Sequence, residues 1–599
     1  MFEISALLRI SRTGIAFWRS AFHRHLPQLL ALAILAGSLS ATTCAGQVTN
    51  SSILGHVYDP SGQAIANATV VVSDINRSIA RKTTTDSVGL FTLIGLNPAI
   101  YSISASAPNF AESTETDVYL AVNTQLRVDF HLAIAGIQKT VAVSSNADAL
   151  QTESAEMSMV VTQQQIQSLP LDPRNFLQLA LLSPGVLPPS ENSELSTRGA
   201  FSMDSAGGRE EYNNFLVDGV DNNDPYVDRY GVEPPVDSIQ EFKVATSNYD
   251  AEYGRSAGGQ VNVITRSGSN DLHGSIYEYL RNQALDARNF FDGPDKPQLT
   301  QNQFGFSVGG PIRKSKTFFF AATDFYRNKE GISALSAVPT TAERGGDLSA
   351  LCETGFTNGI CNPAPANSTL SSVQIVNPLT GNPFQNNMIP SGMISSIAKD
   401  ILNLYPAAPA GSTGPVAYAQ SSPVQTENDY QGTYRVDHHF SEAELLTLRY
   451  SFGAVNLFEP YAGTGITVPG FGDNVTDRIQ NAMILLQQTL GSRGTNSIRI
   501  GYNRFRRDIL TQNYNVNVGS LWDVNWLNVP PIAYGYPELA IQGFSSLGDN
   551  YSLPISRVTN TFQLGDGLSL DRGPHLLKIG AEFRDLQLNG ILDLSLIHI

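Results

Sequence analysis

From His273 onward the chain consists of segments about ten residues long in which apolar and polar side chains alternate, and no other feature restricts its fold so tightly. Leu577, Ile579, Ala581 and Phe583 alternate with Lys578, Gly580, Glu582 and Arg584. Leu446, Leu448, Tyr450 and Phe452 alternate with Thr447, Arg449, Ser451 and Gly453, and Ile498, Ile500 and Tyr502 with Arg499, Gly501 and Asn503. A period of two sends each set to one face of a strand. By itself that pattern fits a half-buried strand of a soluble sandwich equally well. The connections separate the two. Candidate strands at 273–281, 303–311, 317–327, 429–440, 444–453, 478–490, 495–506, 560–571 and 575–588 are joined alternately by short and long links. The short ones are Arg313-Lys314-Ser315, Ser441-Glu442-Ala443, Ser492-Arg493-Gly494 and Gly573-Pro574, whereas 328–428 forms one long link. Short turns at one rim and long loops at the other characterise outer-membrane barrels, and the charged set then faces the lumen. Bacterial barrels have even strand numbers, about 22 in large plugged ones. The chain is therefore expected to be part of a longer barrel, with Leu594 to Ile599, where alternation breaks, foreign to it.

The first 45 residues read as a secretory signal peptide. Arg9, Arg12, Arg19 and Arg24 precede the apolar run from Leu29 to Leu39, and Thr43-Cys44-Ala45 offers small residues for cleavage. That run is about half of the roughly 20 residues a spanning helix needs. No later stretch is longer, so membrane insertion requires a sheet that satisfies its own backbone. A formal charge of −16 provides no basic surface for a phosphate backbone, which excludes nucleic acid as a partner. Cys352 and Cys361 lie in a polar segment and are a disulfide candidate in an oxidising compartment; two free thiols are the alternative.

Residues 46–135 read as a small β-sandwich. Asp59-Pro60-Ser61-Gly62 and Asp86-Ser87-Val88-Gly89 have the Asp and Gly of type I turns. Val70, Val72, Phe91, Leu93, Tyr101 and Ile103 fall on the inward face. Gly55-x-Val57-x-Asp59-x-x-Gly62, Asp86-x-x-Gly89-x-Phe91, Leu96-x-Pro98 and Tyr101 together resemble the carboxypeptidase regulatory-like domain. The one His-x-x-Glu pair, His439 and Glu442, has no third ligand near it in sequence and reads as a turn between strands rather than a zinc site.

Residues 136–270 read as a small mixed α/β unit. Asp172 can cap a short buried helix begun by Pro173, with Phe176, Leu179 and Leu182 on one face. Strands follow at Phe215-Leu216-Val217, Phe242-Lys243-Val244 and Val261 to Ile264. Leu169-Pro170, Arg174-Asn175-Phe176, Arg198-Gly199, Leu216-Val217-Asp218-Gly219, Ala251-Glu252-Tyr253-Gly254 and Gly258-Gly259 running on to Thr265 resemble the plug of TonB-dependent receptors, with wording nearest the Oar-like members. The resemblance implies a mainly β chain: a sandwich, a plug (136–270) and part of an outer-membrane barrel (271–599), with the N-terminal domain in the periplasm. It also implies import of a small-molecule, oligosaccharide or peptide ligand bound at outer loops such as 328–428. The partners are then the inner-membrane TonB complex and outer-membrane lipid. Thr140, Val141, Ala142 and Val143 lie where such proteins contact TonB; a plain linker strand is the alternative there.

No catalytic residue, cofactor site or metal site is expected. Gly254-Arg255-Ser256-Ala257-Gly258 matches Gly-x-Ser-x-Gly, but a strand pattern follows it where a nucleophile elbow needs a helix. Asp218, Asp221, Asp224 and Asp228 lack the glycine and terminal Glu of a calcium loop and read as a solvated plug loop. Two other functions share part of the pattern. An adhesin or structural barrel needs no plug, and a carbohydrate-binding surface protein explains only the sandwich.

Overall fold

The fold is that of a computed structural model, which describes residues 51–135, 140–144, 154–171, 174–188, 202–226, 229–290, 292–461, 467–491, 493–525, 529–572 and 575–592. The leader 1–45, Asp172, Pro173, Arg198, Gly199, Asp228 and the residues from Leu594 lie outside this set.

Two sheets face each other at the start of the described chain. In one, Ser51–Tyr58 pairs antiparallel with Leu90–Leu96 and parallel with Gln125–Arg127 and Phe130–His131. The other runs Ile79–Thr84, Thr69–Asp74, Ala99–Ser106, Glu112–Leu120, Thr140–Ser144. Its last strand lies parallel to its neighbour. Val70, Val72, Phe91, Leu93, Tyr101 and Ile103 all lie in the core between them, because a sandwich sheet buries every second residue. Both turns close as expected: Gly62 N donates to Asp59 O at 3.0 Å and Gly89 N to Asp86 O at 3.1 Å. Each glycine has a left-handed φ, +83° and +73°, which a side chain would strain.

The second unit is a mixed five-stranded sheet ordered Met157–Thr162, Ile239–Ser247, Gln260–Thr265, Asn214–Val217, Val220–Asp221. Gln260–Thr265 is buried along its whole length and lies parallel to Asn214–Val217. The helix read from the sequence is present in altered form. It is a 3-10 helix, Phe176–Leu182, capped by Asn175, whose Oδ1 accepts from Leu177 N at 2.9 Å. With three residues per turn, Phe176 stacks over Leu179 and Leu177 over Ala180, and these four are buried. Leu182, expected on the buried face, is exposed where the helix ends at Ser183.

Among the described residues, nine strands form one antiparallel sheet: His273–Asn282, Leu299–Arg313, Thr317–Gly331, Val424–Ser441, Glu444–Glu459, Asp473–Leu490, Gly494–Thr511, Ile555–Arg572 and His575–Leu592. Each candidate segment is a strand, but most are longer than read, reaching 18 residues. Val436, Leu448, Ile484, Ile500, Leu564 and Phe583 are cross-strand partners that form a continuous row on the outward face. The opposite face, with Asp437, Arg449, Asn481 and Asn503, is buried against the five-stranded unit. The sandwich lies at the short-turn rim, where Asn270 Oδ1 accepts from Ser315 N at 2.8 Å and Asn270 N donates to Asn76 O at 3.0 Å.

At the other rim three long connections share one core. Val338, Tyr405, Ala417 and Ala419 from 332–423 pack with Val468 and Phe471 and with Leu547. Within the first of these connections Cys352 and Cys361 are bonded. Closing so short a loop restricts the unfolded chain by about 2–3 kcal/mol. Cys352→Ser with Cys361→Ser is therefore expected to speed hydrogen exchange in 349–375 and leave the strands unchanged. Equal exchange in both proteins would contradict this.

Candidate functional site

The acidic run Asp218, Asp221 and Asp224 sits between the five-stranded unit and the inward face of the nine-stranded sheet, and the expectation of a solvated loop is wrong. All three are buried. The tight turn at Asp218-Gly219, with φ of 50° and 77°, pushes the run against the inward face of the sheet. Asp218 Oδ2 meets Arg449 Nε at 2.9 Å, and Oδ1 meets Arg435 NH1 at 3.6 Å. Thr265 completes its shell, donating from N to Oδ1 at 2.9 Å and from Oγ1 to Oδ2 at 2.8 Å. Asp221 Oδ1 lies 2.9 Å from Arg584 NH1 and 3.1 Å from Arg255 NH1. Asp224 Oδ2 lies 2.8 Å from Arg557 NH2. Asp228 lies outside the described residues.

A carboxylate taken out of water must be matched by charge and hydrogen bonds or it will not stay ionised. Here the match is supplied by residues far away in sequence. Arg229 and Arg507 share Asp477, at 3.2 Å and 2.5 Å. With Arg557 they surround the Phe505 ring, 4.8, 5.8 and 5.7 Å from its centroid. Backbone contacts fill the spaces between: Asn481 Nδ2 donates to Asp221 O, Asn503 Nδ2 to Asn223 O, and Gln563 Oε1 accepts from Asp221 N. Gly219 leaves no room for a side chain, since a Cβ there would lie 2.6 Å from Arg499 Cζ. The Asp218-Gly219 motif thus places a turn beneath an arginine. Desolvation lowers the Arg229 pKa to about 10, still charged near neutral pH.

The other plug-motif residues divide between packing and docking. Gly258 and Gly259 run under Tyr212 and Ser205, where a Cβ would meet Tyr212 O at 2.7 Å and Ser205 Oγ at 2.6 Å. Glu252 and Tyr253 face the sandwich: Asn123 Nδ2 reaches Glu252 Oε1 at 3.1 Å and Tyr253 OH at 3.3 Å. Gly254 has nothing within 4 Å of a Cβ position. Arg198 and Gly199 are not among the described residues. Ser256 is followed by the strand Gln260–Thr265 and not by a helix, which leaves it no elbow geometry. Among the described residues no three His, Cys, Asp or Glu side chains converge as a metal site would require, His439 and Glu442 included.

Sequence reasoning missed the contact between the sandwich and the five-stranded unit. Glu241 is buried and accepts from Tyr119 OH and from Val122 N of the sandwich. Burial pushes its carboxyl up to about 7 despite those donors and nearby Lys243. Lys243 Nζ donates to Glu156 Oε2 at 2.6 Å and to Asn123 O at 3.0 Å. A Glu and a Lys two apart in an otherwise apolar strand, Glu241-Phe242-Lys243, was the available signal. Tyr119→Phe is expected to cost this contact about 1–3 kcal/mol. The loss should appear as faster hydrogen exchange at Ala121 to Asn123, and unchanged protection would count against it. The strand Thr140–Ser144, with Thr140, Val141, Ala142 and Val143, lies along the outer edge of the sandwich sheet and joins no part of the buried cluster.

Residues 264–594 match the family model described as outer membrane beta barrel domain, more than half of the chain, and residues 52–133 match the carboxypeptidase regulatory-like domain. The TonB-dependent transporter Oar of Myxococcus xanthus is 28% identical over 317 residues, which is 50% of this chain and 29% of that protein. The probable TonB-dependent siderophore receptor PirA of Acinetobacter baumannii is 30% identical over 169 residues, 26% of this chain and 21% of that protein. Among solved structures, the outer membrane transporter YddB from Escherichia coli aligns over 72% of this chain and 48% of its own at 12% identity, with a TM-score of 0.44. The chain spans less than a third of the curated relatives it matches.

Proposed function

The chain belongs to the outer membrane beta barrel family, whose matched relatives are named as transporters and receptors and not as enzymes, and from that premise we propose that it is a TonB-dependent importer gated by its own plug. In this reading residues 46–135 stand in the periplasm, 136–270 form the plug and 271–599 contribute to the barrel. The observation that carries it is the clamp of Asp218, Asp221 and Asp224 on arginines of the inward face. An adhesin, a structural barrel or a carbohydrate-binding surface protein has no use for a polar, separable body held in this way. An apolar core of equal volume would hold at least as firmly, so buried ion pairs suit a seat that must be specific and also be left.

The ligand binds at the outer loops, chiefly 328–428, and the TonB complex draws on Thr140, Val141, Ala142 and Val143. That strand pairs along an edge and can be peeled off one hydrogen bond at a time. The pull then reaches Met157–Thr162, the edge strand of the plug. Val141→Cys is expected to cross-link to a cysteine in the periplasmic domain of TonB, more strongly when the cell is energised and ligand is present. Cross-linking no stronger than from Asp86→Cys, in a turn on the sandwich, would refute the assignment of that strand.

A further inference from the structure

We propose that Arg478, Arg504 and Arg506, on the outward face of two adjacent strands, form a binding site for the phosphate-bearing head group of an outer-leaflet lipid. Arg478 and Arg506 are direct cross-strand partners. Like charges placed opposite each other destabilise a sheet unless an anion joins them. Arg504 lies one outward position closer to the short-turn rim, opposite Gln480. Its NH1 donates to Asn560 Oδ1 at 2.8 Å. Among the described residues, the carboxylate paired with this cluster is already engaged: Asp508 takes Arg506 Nε at 2.8 Å and Ser556 Oγ at 2.5 Å. Arg478 is exposed and has no side-chain partner among the described residues. Three guanidiniums therefore face outward against one carboxylate.

Depth selects the ligand. The outward row of Leu448, Ile484, Ile500 and Leu564 is apolar, and its neighbours are apolar across three or four strands, Leu446, Leu486 and Ile498 on the short-turn side before the row meets Asp566, and Tyr450, Ala482, Tyr502 and Phe562 on the long-loop side before it meets Asp585. Arg478 is six residues beyond Ile484, about 20 Å along the strand and, at a tilt near 40°, roughly 15 Å in height. Half of an apolar band about 25 Å tall is less than that. The row beyond the arginines, Asn456, Thr476, Asp508 and Ser556, is wholly polar. The arginines thus stand at head-group depth on the long-loop side. Forked guanidiniums match phosphate oxygens two at a time, which a sugar hydroxyl or a zwitterionic head group does not exploit equally.

The full chain in detergent micelles would be titrated with diphosphorylated lipid A, with the same glycolipid dephosphorylated, and with inorganic phosphate, and bound lipid counted by native mass spectrometry. The expected result is binding of the diphosphorylated form about tenfold tighter than the dephosphorylated one. That preference should vanish in Arg478→Gln with Arg506→Gln and persist in Arg127→Gln, on the sandwich. If the double variant does not fold, Arg478→Gln alone carries the comparison, since it leaves the Arg506–Asp508 pair in place. Equal binding of both glycolipids, a preference that survives the substitution, or full displacement by inorganic phosphate would each overturn the proposal.

Discussion

Asp224→Ala is expected to destabilise the seat of the plug by about 3–5 kcal/mol, because it removes one partner from a buried charge cluster and leaves the others without compensation. Asp224 is fully buried, and its carboxylate meets Arg557 NH2 at 2.8 Å. Without it, Arg229 and Arg507 keep Asp477, while Arg557 loses the carboxylate that its guanidinium meets. Chemical unfolding followed at a probe in Asn214–Val217 should show the plug melting before the sheet around it. Asp221→Ala should cost less, since Arg255, one of its two arginine partners, keeps 28% of its side-chain surface in water. An Asp224→Ala protein whose plug melts with the barrel, as in the parent, would mean that the clamp does not hold the plug.

Raising the pH from about 4.5 to 8 is expected to loosen the same unit. Burial pushes the Glu233 carboxyl up to about 8, with Asp324 and Glu427 adding to the effect and Tyr230 OH opposing it at 3.3 Å. A carboxyl that holds its proton longer when folded binds more protons than the unfolded chain between the two pKa values. Stability is therefore complete below about 4.5 and falls as pH rises from there through 8, by on the order of 5 kcal/mol. Glu241, pushed up to about 7, adds in the same direction over a narrower range. Glu233→Gln, which stays neutral, should flatten the profile and raise stability at pH 8. A Glu233→Gln profile as steep as the parent's would place the titration elsewhere.

The strands were legible where their two faces differ in polarity, and they were cut short where the faces do not. In Asp473-Asn474-Val475-Thr476-Asp477-Arg478 the inward Asp477 meets the plug's Arg229 and the outward Thr476 and Arg478 meet solvent or head groups, so polarity carries no period. The acidic run was legible as a spacing and misread in its surroundings. Its partners Arg557 and Arg584 lie 333 and 363 residues away, beyond any local pattern. A hint was available in the lumen-facing sets, which place Arg449, Arg499 and Arg584 on inward positions, more cations than a lumen holding only water requires. The helix cap was misplaced because Asp172 and Asn175 are both good caps, and only the fold selects the one nearer Phe176.

The central claim is that the plug moves out of its seat under a pull from its N-terminal side, and conductance across a planar bilayer tests it most directly. A Cβ on Gly501 would lie 2.7 Å from Val220 Cγ1, so Val220→Cys with Gly501→Cys places two thiols within disulfide reach across the plug–sheet boundary. The protein, reconstituted and pulled from the strand Thr140–Ser144, is predicted to open a conductance step. The oxidised double-cysteine protein should stay closed, and a reductant should restore opening. If the oxidised protein opens at the same force as the parent, or if the parent does not open under a pull that unravels Thr140–Ser144, the plug is not the gate.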